Sequence, residues 1–155
     1  MFPKPARSLI KYFPLFEKQK KKVVLDYGSG NLRNSLFLHR RGYDVYAVDL
    51  PYRIKFNSLP RLKFIWPEDL QTLNKKINLA ICTFVLNLID ASQRSEAIKK
   101  IARQMTPGGY LLIETKGFLL TEIDRLVIPR GFIRVHSQGG RYTVIALYQY
   151  IGPQD

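Results

Sequence analysis

The sequence predicts a single α/β domain built on a mostly parallel, doubly wound sheet of seven strands. Short apolar runs alternate with amphipathic segments along most of the chain, and turns rich in glycine and proline separate them. The last two runs, at 132–137 and 142–150, instead alternate apolar with polar residues around a four-residue turn. They predict a C-terminal antiparallel hairpin, in which Gly139 and Gly140 supply the positive φ of the turn.

Turn signals bound each of the expected elements. Five apolar runs predict the parallel strands, at 23–27, 44–50, 62–66, 77–85 and 110–115. The segments between them predict helices at 31–41, 92–105 and 119–128, and a helical turn from Pro67. We expect Ser92 to cap the second helix and Pro107-Gly108-Gly109 to end it. The fourth strand is the most apolar, which favours a central position.

The first 22 residues form a basic helical leader before the domain at 23–155. Apolar residues at helical spacing predict one buried face, which comprises Leu9, Ile10, Phe13 and Phe16. We expect Pro14 to break this helix, because proline lacks a backbone N–H and clashes with the preceding turn. A run of lysines follows and is the densest cationic patch of the chain: Lys18, Lys20, Lys21 and Lys22.

Charge is the unusual property of the composition. Among 155 residues, 25 are Lys or Arg and 12 are Asp or Glu, which gives a net charge of +13. Such an excess favours an anionic partner, and the lysine run is the candidate nucleic-acid surface. The alternative interpretation is a solvated surface with no specific partner.

Several classes of protein are excluded by simple counts. One cysteine, Cys82, cannot form a disulfide framework, and together with the absence of a secretory signal it predicts a reducing, cytoplasmic location. The longest apolar stretch, 79–89, is too short to span a bilayer, so we expect no membrane partner. His39 and His136 have no metal-ligand spacing around them, so we expect no metal site.

The chemistry concentrates where the first strand enters Asp26-Tyr27-Gly28-Ser29-Gly30 and a helix follows. Glycines at such a turn let a ligand approach the backbone closely. Asp49 ends the next strand, 23 residues after Asp26. An acid at that position can accept hydrogen bonds from both hydroxyls of a ribose, so the segment predicts a nucleoside site.

These residues resemble motif I and the acidic strand end of class I S-adenosylmethionine-dependent methyltransferases, which have a Rossmann-like fold. The segment 30–38 is similar to the same segment of the tellurite-resistance-type and related small methyltransferases. The resemblance continues through Pro67-Glu68-Asp69-Leu70, the fourth strand, Pro107-Gly108-Gly109 and the hairpin, and covers about residues 22–150. It implies methyl transfer with S-adenosylmethionine as the cofactor.

The resemblance also implies a role for each motif position. Asp26 and the Gly28-Ser29-Gly30 backbone would hold the methionine moiety. Asp49, with Leu50 beside it, would hold the ribose. Asp69 and Leu70 would flank the adenine, and Thr83 and Phe84 would line the cofactor beside the reactive methyl. Two positions depart from the pattern: Leu32 stands where a third glycine is usual, and Asn78 where an acid often begins the fourth strand.

The sequence leaves the acceptor and the catalytic residues unassigned. Thr83-Phe84-Val85-Leu86 lacks the Pro-Pro-aromatic pattern of amino-adenine methyltransferases, and Cys82 lies inside an apolar strand, unlike a nucleophile. A nucleic acid and a small molecule both remain possible acceptors. Two other functions stay open: a nicotinamide-dependent oxidoreductase, disfavoured by the missing G-x-G-x-x-G, and a non-catalytic binding module of the same fold.

Overall fold

The computed structural model describes residues 3–50, 58–73 and 76–153, and the sheet lies at its centre. The seven strands are β1 (Val23–Tyr27), β2 (Asp44–Val48), β3 (Leu62–Ile65), β4 (Ile77–Thr83), β5 (Met105–Lys116), β6 (Phe132–Gly139) and β7 (Thr143–Tyr150). Their order is β3-β2-β1-β4-β5-β7-β6. The pairs among β1 to β5 are parallel, whereas β7 is antiparallel to both β5 and β6. The predicted fold class is confirmed, including the C-terminal hairpin.

Four α-helices cover the two faces of the sheet. They are α1 (Arg7–Lys18), α2 (Arg33–His39), α3 (Ala91–Gln104) and α4 (Leu120–Val127). α1 and α2 pack with one face of the sheet, around Leu9, Phe16 and Leu38. α3 and α4 pack on the other, around Ile98, Ile101 and Ile123. In the described part of the chain, no helix is long and apolar enough to cross a membrane.

The expected break of α1 at Pro14 is wrong, since the helix continues to Lys18. Proline removes the hydrogen bond to the carbonyl of Ile10, and Pro14 and Ile10 both lie on the exposed side of the helix, where water can solvate that carbonyl. Ile10 is therefore not part of the buried face, with 52% of its surface exposed. Burial of Leu9 and Phe16 holds the helix to the sheet and outweighs the local cost of proline.

The termini of α3 also differ from the expectation. Asp90, not Ser92, caps the helix: its carboxylate accepts the Gln93 N–H at 2.9 Å, and the Gln93 side chain accepts the Asp90 N–H. The helix ends at Gln104, and Pro107-Gly108-Gly109 lies within β5. A Cβ at Gly109 would stand 3.2 Å from the Asn78 Cα, so this glycine allows β5 to approach β4 closely.

The hairpin forms without the backbone conformation expected of its glycines. Gly139 ends β6, and neither Gly139 nor Gly140 has a positive φ. The turn is closed by the Gly140 N–H, which donates to the Thr143 carbonyl at 2.7 Å. The sheet register across β6 and β7, with Phe132 opposite Tyr150, sets the hairpin geometry.

Candidate cofactor site

A cleft of about 560 Å³ opens at the carboxyl ends of β1, β2 and β4. The chain runs outward from β1 to β3 on one side of the sheet and from β4 to β5 on the other, so β1 and β4 flank the switch point. Open α/β sheets bind ligands at such a point, and the volume is within the usual range for small-molecule sites. The cleft is lined by Tyr27, Gly28, Ser29, Gly30, Asn31, Arg33, Asn34, Val48, Asp49, Leu50, Pro67, Thr83, Phe84, Val85, Leu88, Ile89, Gln93, Glu96 and Lys100.

The glycine turn after β1 forms one wall of this cleft. Gly28 and Gly30 have φ of +76° and +53°, which side chains rarely adopt. The N–H groups of Gly28 and Ser29 both donate to the Val48 carbonyl, at 2.7 and 2.9 Å. A Cβ at Gly28 would lie 2.2 Å from Val85 Cγ2, so only glycine fits between the turn and the loop after β4.

Asp49 follows β2 and is held by two backbone amides. Its Oδ2 accepts the Gly30 N–H at 2.7 Å, and its Oδ1 accepts the Leu50 N–H at 2.7 Å. The carboxylate is half-buried and lines the cleft. Each oxygen keeps acceptor capacity after one bond, so the group can still accept from two hydroxyls of a ligand.

Asp26 lies behind the glycine turn instead of lining the cleft. It is 2% exposed, and its Oδ2 accepts the Ser35 hydroxyl at 2.7 Å. Burial raises the pKa of Asp26 to about 6, opposed by the Ser35 hydrogen bond and supported by the charge of Asp49. The side chain therefore links β1 to α2, and in this structure it has no direct access to the cleft.

Thr83 and Phe84 lie at the end of β4 and line the cleft, as do Ser29 and Leu50. The Thr83 hydroxyl accepts the Asn34 amide N–H at 3.1 Å. The Asn34 carbonyl in turn accepts the Ala6 N–H at 2.8 Å, so the segment before α1 is tied to the cleft wall. Phe84 has φ +56°, and its N–H donates to the Glu114 carbonyl at 2.6 Å.

The loop after β3 reaches the cleft only through Pro67. Asp69 is exposed, and Leu70 is fully buried in the core against α3, so neither lines the cleft. Trp66 is 47% exposed and likewise absent from the lining. The segment 51–57, which continues from Leu50, lies outside the described residues.

Sequence reasoning missed the wall contributed by α3 and by the loop before it. Gln93, Glu96 and Lys100 all line the cleft. Their spacing of three and four residues places them on one helical face, which is a signal that the sequence contained. Tyr27 was also missed; burial, more than the nearby charges, raises its pKa to about 12, so it presents a neutral hydroxyl.

The two departures from the family pattern have structural explanations. Leu32 precedes α2 in the left-handed conformation, with φ +67°, where glycine would be free of strain. Its side chain is 3% exposed and packs in the core on the α1 side, away from the cleft lining. Asn78 accepts the Val23 N–H at 2.9 Å and so joins β4 to β1 at the far end from the cleft.

The remaining candidates for chemistry lie outside the cleft. Cys82 is fully buried, and burial raises its pKa to about 12, so it is a core residue and not a nucleophile. His39 Nε2 contacts the Pro60 carbonyl at 2.8 Å, and His136 contacts the Tyr12 hydroxyl. Among the described residues, no three potential metal ligands form a cluster.

The residues of the cleft suit S-adenosylmethionine. A carboxylate fixed by two amides suits a ribose, and the glycine turn brings backbone close to the ligand space. Ser29 also lines this wall, and its buried hydroxyl has no hydrogen-bond partner among the described residues. Strand order, switch point and acidic strand end together define a nucleoside-cofactor-binding α/β protein.

Comparison with known proteins identifies the family. Residues 1–149 match the family described as "Methyltransferase domain". Two solved structures share the fold: a TehB-like S-adenosylmethionine-dependent methyltransferase from Corynebacterium glutamicum (TM-score 0.72, 18% identity, 84% of this chain and 80% of that one) and the 1,6-didemethyltoxoflavin-N1-methyltransferase from Burkholderia thailandensis (TM-score 0.71, 19% identity, 90% and 76%). The second contains S-adenosylhomocysteine.

A curated relative, Hemagglutinin 1 of Eikenella corrodens, is 32% identical over 98 residues. That match covers 58% of this chain and 33% of the relative, so the chain spans about a third of the relative's length. The family match over nearly the whole chain is decisive. This protein belongs to the class I S-adenosylmethionine-dependent methyltransferases, whose cofactor is S-adenosylmethionine.

Proposed function

We propose that this protein transfers the methyl group of S-adenosylmethionine to a small acceptor molecule bound in the cleft. The observation that carries the proposal is the Asp49 carboxylate, which two backbone amides hold at the cleft wall with acceptor capacity to spare. Asp49 would accept the ribose hydroxyls, with Leu50 beside it. The backbone of Gly28, Ser29 and Gly30 would hold the methionine moiety.

The other candidate site residues receive more specific proposals. Thr83 and Phe84 would line the space beside the reactive methyl, because they close the cleft at the end of β4. Asp26 would act as a positioning residue, since its contact is with Ser35 on α2. An adenine contact by the loop of Asp69 and Leu70 would require that loop to move, whereas Pro67 already borders the cleft.

The cofactor supplies an activated sulfonium methyl, so transfer needs mainly alignment of the acceptor atom with that carbon. This chain contributes walls that orient the two molecules and exclude water. Thr83 is fixed by Asn34, and Asn34 by the Ala6 amide, so the wall beside the methyl is rigid. We assign no general base: Tyr27 is protonated at neutral pH, and its hydroxyl can donate a hydrogen bond to the acceptor.

The charges of the cleft favour a small acceptor over a polyanion. The described lining contains two cations, Arg33 and Lys100, and two acids, Asp49 and Glu96. Apolar side chains occupy much of the remaining wall, including Val85, Leu88 and Ile89. We also propose a cytoplasmic location, because the single cysteine, Cys82, is a free and buried thiol.

The test is calorimetry of the purified protein with S-adenosylhomocysteine and, in parallel, with NAD. We expect binding of S-adenosylhomocysteine and none of NAD. Binding of NAD alone would favour an oxidoreductase, and binding of neither would favour a non-catalytic module. Transfer of label from methyl-labelled S-adenosylmethionine is then measured with small-molecule extracts and with RNA and DNA; label found only in nucleic acid would overturn the small-acceptor proposal.

A further inference from the structure

The edge of the sheet opposite the cleft has a charge distribution that the methyltransferase reaction does not use. The parallel strands begin at this edge, and the turns that lead into them carry cations. We call this surface the amino-end edge and define its cations as Lys18, Lys20, Lys21, Lys22, Arg40, Arg41, Arg61, Lys76, Arg103 and Arg130.

Acids are scarce on the amino-end edge. In the described ranges, the acids there are Glu17 and Asp44, and Glu17 is already paired with Lys22 at 2.6 Å. The other described acids lie in the carboxyl halves of strands or in the segments that follow them: Asp26, Asp49, Glu68, Asp69, Asp90, Glu96, Glu114, Glu122 and Asp124. Among the described residues, the amino-end edge therefore carries ten cations against two acids, a net charge of +8.

The cations of the amino-end edge follow the order of the strands. Arg61 precedes β3, Arg41 precedes β2 and Lys22 precedes β1, while Lys76 precedes β4 and Arg130 precedes β6. With neighbouring strands about 4.8 Å apart, the edge is roughly 29 Å long. Phosphates along one strand of B-DNA are about 3.4 Å apart in axial rise, so this length matches about eight base pairs.

We propose that the amino-end edge binds the phosphate backbone of a nucleic acid. A row of cations with few interspersed acids suits a linear polyanion and requires no contact with the bases. Some members also have roles within the fold: Lys21 donates to the Gly108 carbonyl at 3.0 Å, and Arg41 donates to the Phe37 carbonyl at 3.0 Å. Lys18, Lys20, Lys76 and Arg103 are exposed side chains that extend toward solvent.

The position of this surface separates docking from catalysis. A backbone bound along the amino-end edge lies at the opposite end of the strands from Asp49 and the cleft. The bound nucleic acid is therefore a scaffold that retains the protein, and a different molecule accepts the methyl group. This inference concerns a surface outside the cofactor cleft and can fail while the proposed function stands.

The experiment compares two variants that lose the same charge at opposite ends of the strands. The edge variant replaces Lys18, Lys20, Lys76 and Arg103 with Gln. The control variant replaces four exposed cations at the cleft end with Gln: Lys4, Arg7, Lys116 and Arg141. Anisotropy of a labelled duplex DNA of about 16 base pairs, and of a single-stranded RNA of equal length, is titrated between about 50 and 200 mM salt.

We expect the native protein to bind with a steep salt dependence. In the edge variant, the slope of log affinity against log salt should fall by about 2–4, at about 0.7–0.9 per lost contact, and binding at the lowest salt should weaken at least tenfold. The control variant should keep the native slope to within about 1. Both variants should retain the native affinity for S-adenosylhomocysteine, which shows that they are folded.

Three results would overturn the proposal. Equal losses in the two variants would mean that net charge, and not this edge, attracts the nucleic acid. If the native protein binds neither nucleic acid at about 50 mM salt, nucleic acid is excluded as the ligand of this surface. Binding to vesicles with 30% phosphatidylserine, lost in the edge variant and without binding to either nucleic acid, would assign the edge to an anionic membrane surface instead.

Discussion

At the carboxyl ends of the parallel strands, acidic side chains are held by hydrogen bonds within the fold, whereas at the amino ends several cations extend into solvent. Asp49 accepts two backbone amides and Asp26 accepts the Ser35 hydroxyl. Lys18, Lys20 and Lys76, in contrast, are exposed. A carboxylate held by backbone amides is preorganised to bind one ligand group. An exposed lysine has a flexible side chain, so it can pair with any phosphate within its reach.

The two ends of the sheet differ in shape as well as in charge. Strand ends at the switch point form a cleft because the chain departs in opposite directions there, and loops close around the gap. The amino ends of the strands instead follow connections that carry exposed cations. The cleft lining has equal numbers of described cations and acids, so the excess positive charge of the chain lies outside the cleft.

The largest expected effect concerns the buried acid of the cleft end. An Asp26→Asn substitution keeps the shape and an acceptor for Ser35 but removes the ionisation. Burial raises the pKa of Asp26 from 3.8 to about 6, so the folded protein holds the proton more tightly than the unfolded chain does. The free energy of unfolding therefore falls as pH rises from about 4 to 6. The variant should gain stability relative to the native protein over that window, on the order of 3 kcal/mol at pH 7.

Urea unfolding of both proteins at pH 4, 5, 6 and 7 measures this difference. A stability difference that does not change with pH would mean that Asp26 titrates normally.

Calorimetry of the same variant tests whether Asp26 only positions α2 or contacts the cofactor directly. Affinity for S-adenosylhomocysteine within about threefold of native supports a positioning role, and a loss of tenfold or more supports direct contact with the methionine ammonium.

The next effect tests the ribose contact. Asp49→Ala should weaken S-adenosylhomocysteine binding by about 30- to 100-fold, or roughly 2–3 kcal/mol, because charge-assisted hydrogen bonds to two hydroxyls are lost. Asp44→Ala is the matched control, since Asp44 begins the same strand at the amino-end edge and is exposed. Calorimetry should give native affinity for the control; an equal loss in both variants, or none in Asp49→Ala, would contradict the assignment.

The smallest effect concerns strain next to the cleft. Leu32→Gly and Leu32→Ala both lose the buried side chain, but only glycine relieves the φ of +67°. We expect both variants to be less stable than native, with the glycine variant more stable than the alanine variant by about 1 kcal/mol. In the interior of a helix the order of stability is the opposite, because glycine is less favourable there than alanine.

Urea unfolding gives the order of stability, and calorimetry gives the affinity for S-adenosylhomocysteine. Affinity should remain native in both variants, because Leu32 packs away from the cleft. Weaker binding in both would mean that the leucine supports the glycine turn, and tighter binding in Leu32→Gly would mean that the leucine obstructs the cofactor.

The sequence by itself determined the sheet, its hairpin and the residues of the glycine turn. Alternating periodicity, turn residues and an acid at the end of the second strand are local signals. They can be interpreted without knowing which distant residues each segment contacts in the folded protein. Gly28 and Asp49 were identified on that basis, and the structure places both at the cleft wall.

Tertiary structure decided what depends on partners distant in sequence. Pro14 stays within a helix because burial of Leu9 and Phe16 outweighs its local cost, and Leu32 tolerates a left-handed conformation because its side chain fills the core. Asp26 turns toward Ser35 and Leu70 toward α3, so neither side chain lines the cleft that their motifs suggested. The amino-end edge, too, forms only when the fold brings the connections that precede β1 to β6 to the same end of the strands. Such outcomes follow from competition between local conformational preference and burial against distant residues. Burial of a large apolar side chain stabilises the fold by more than most local preferences cost.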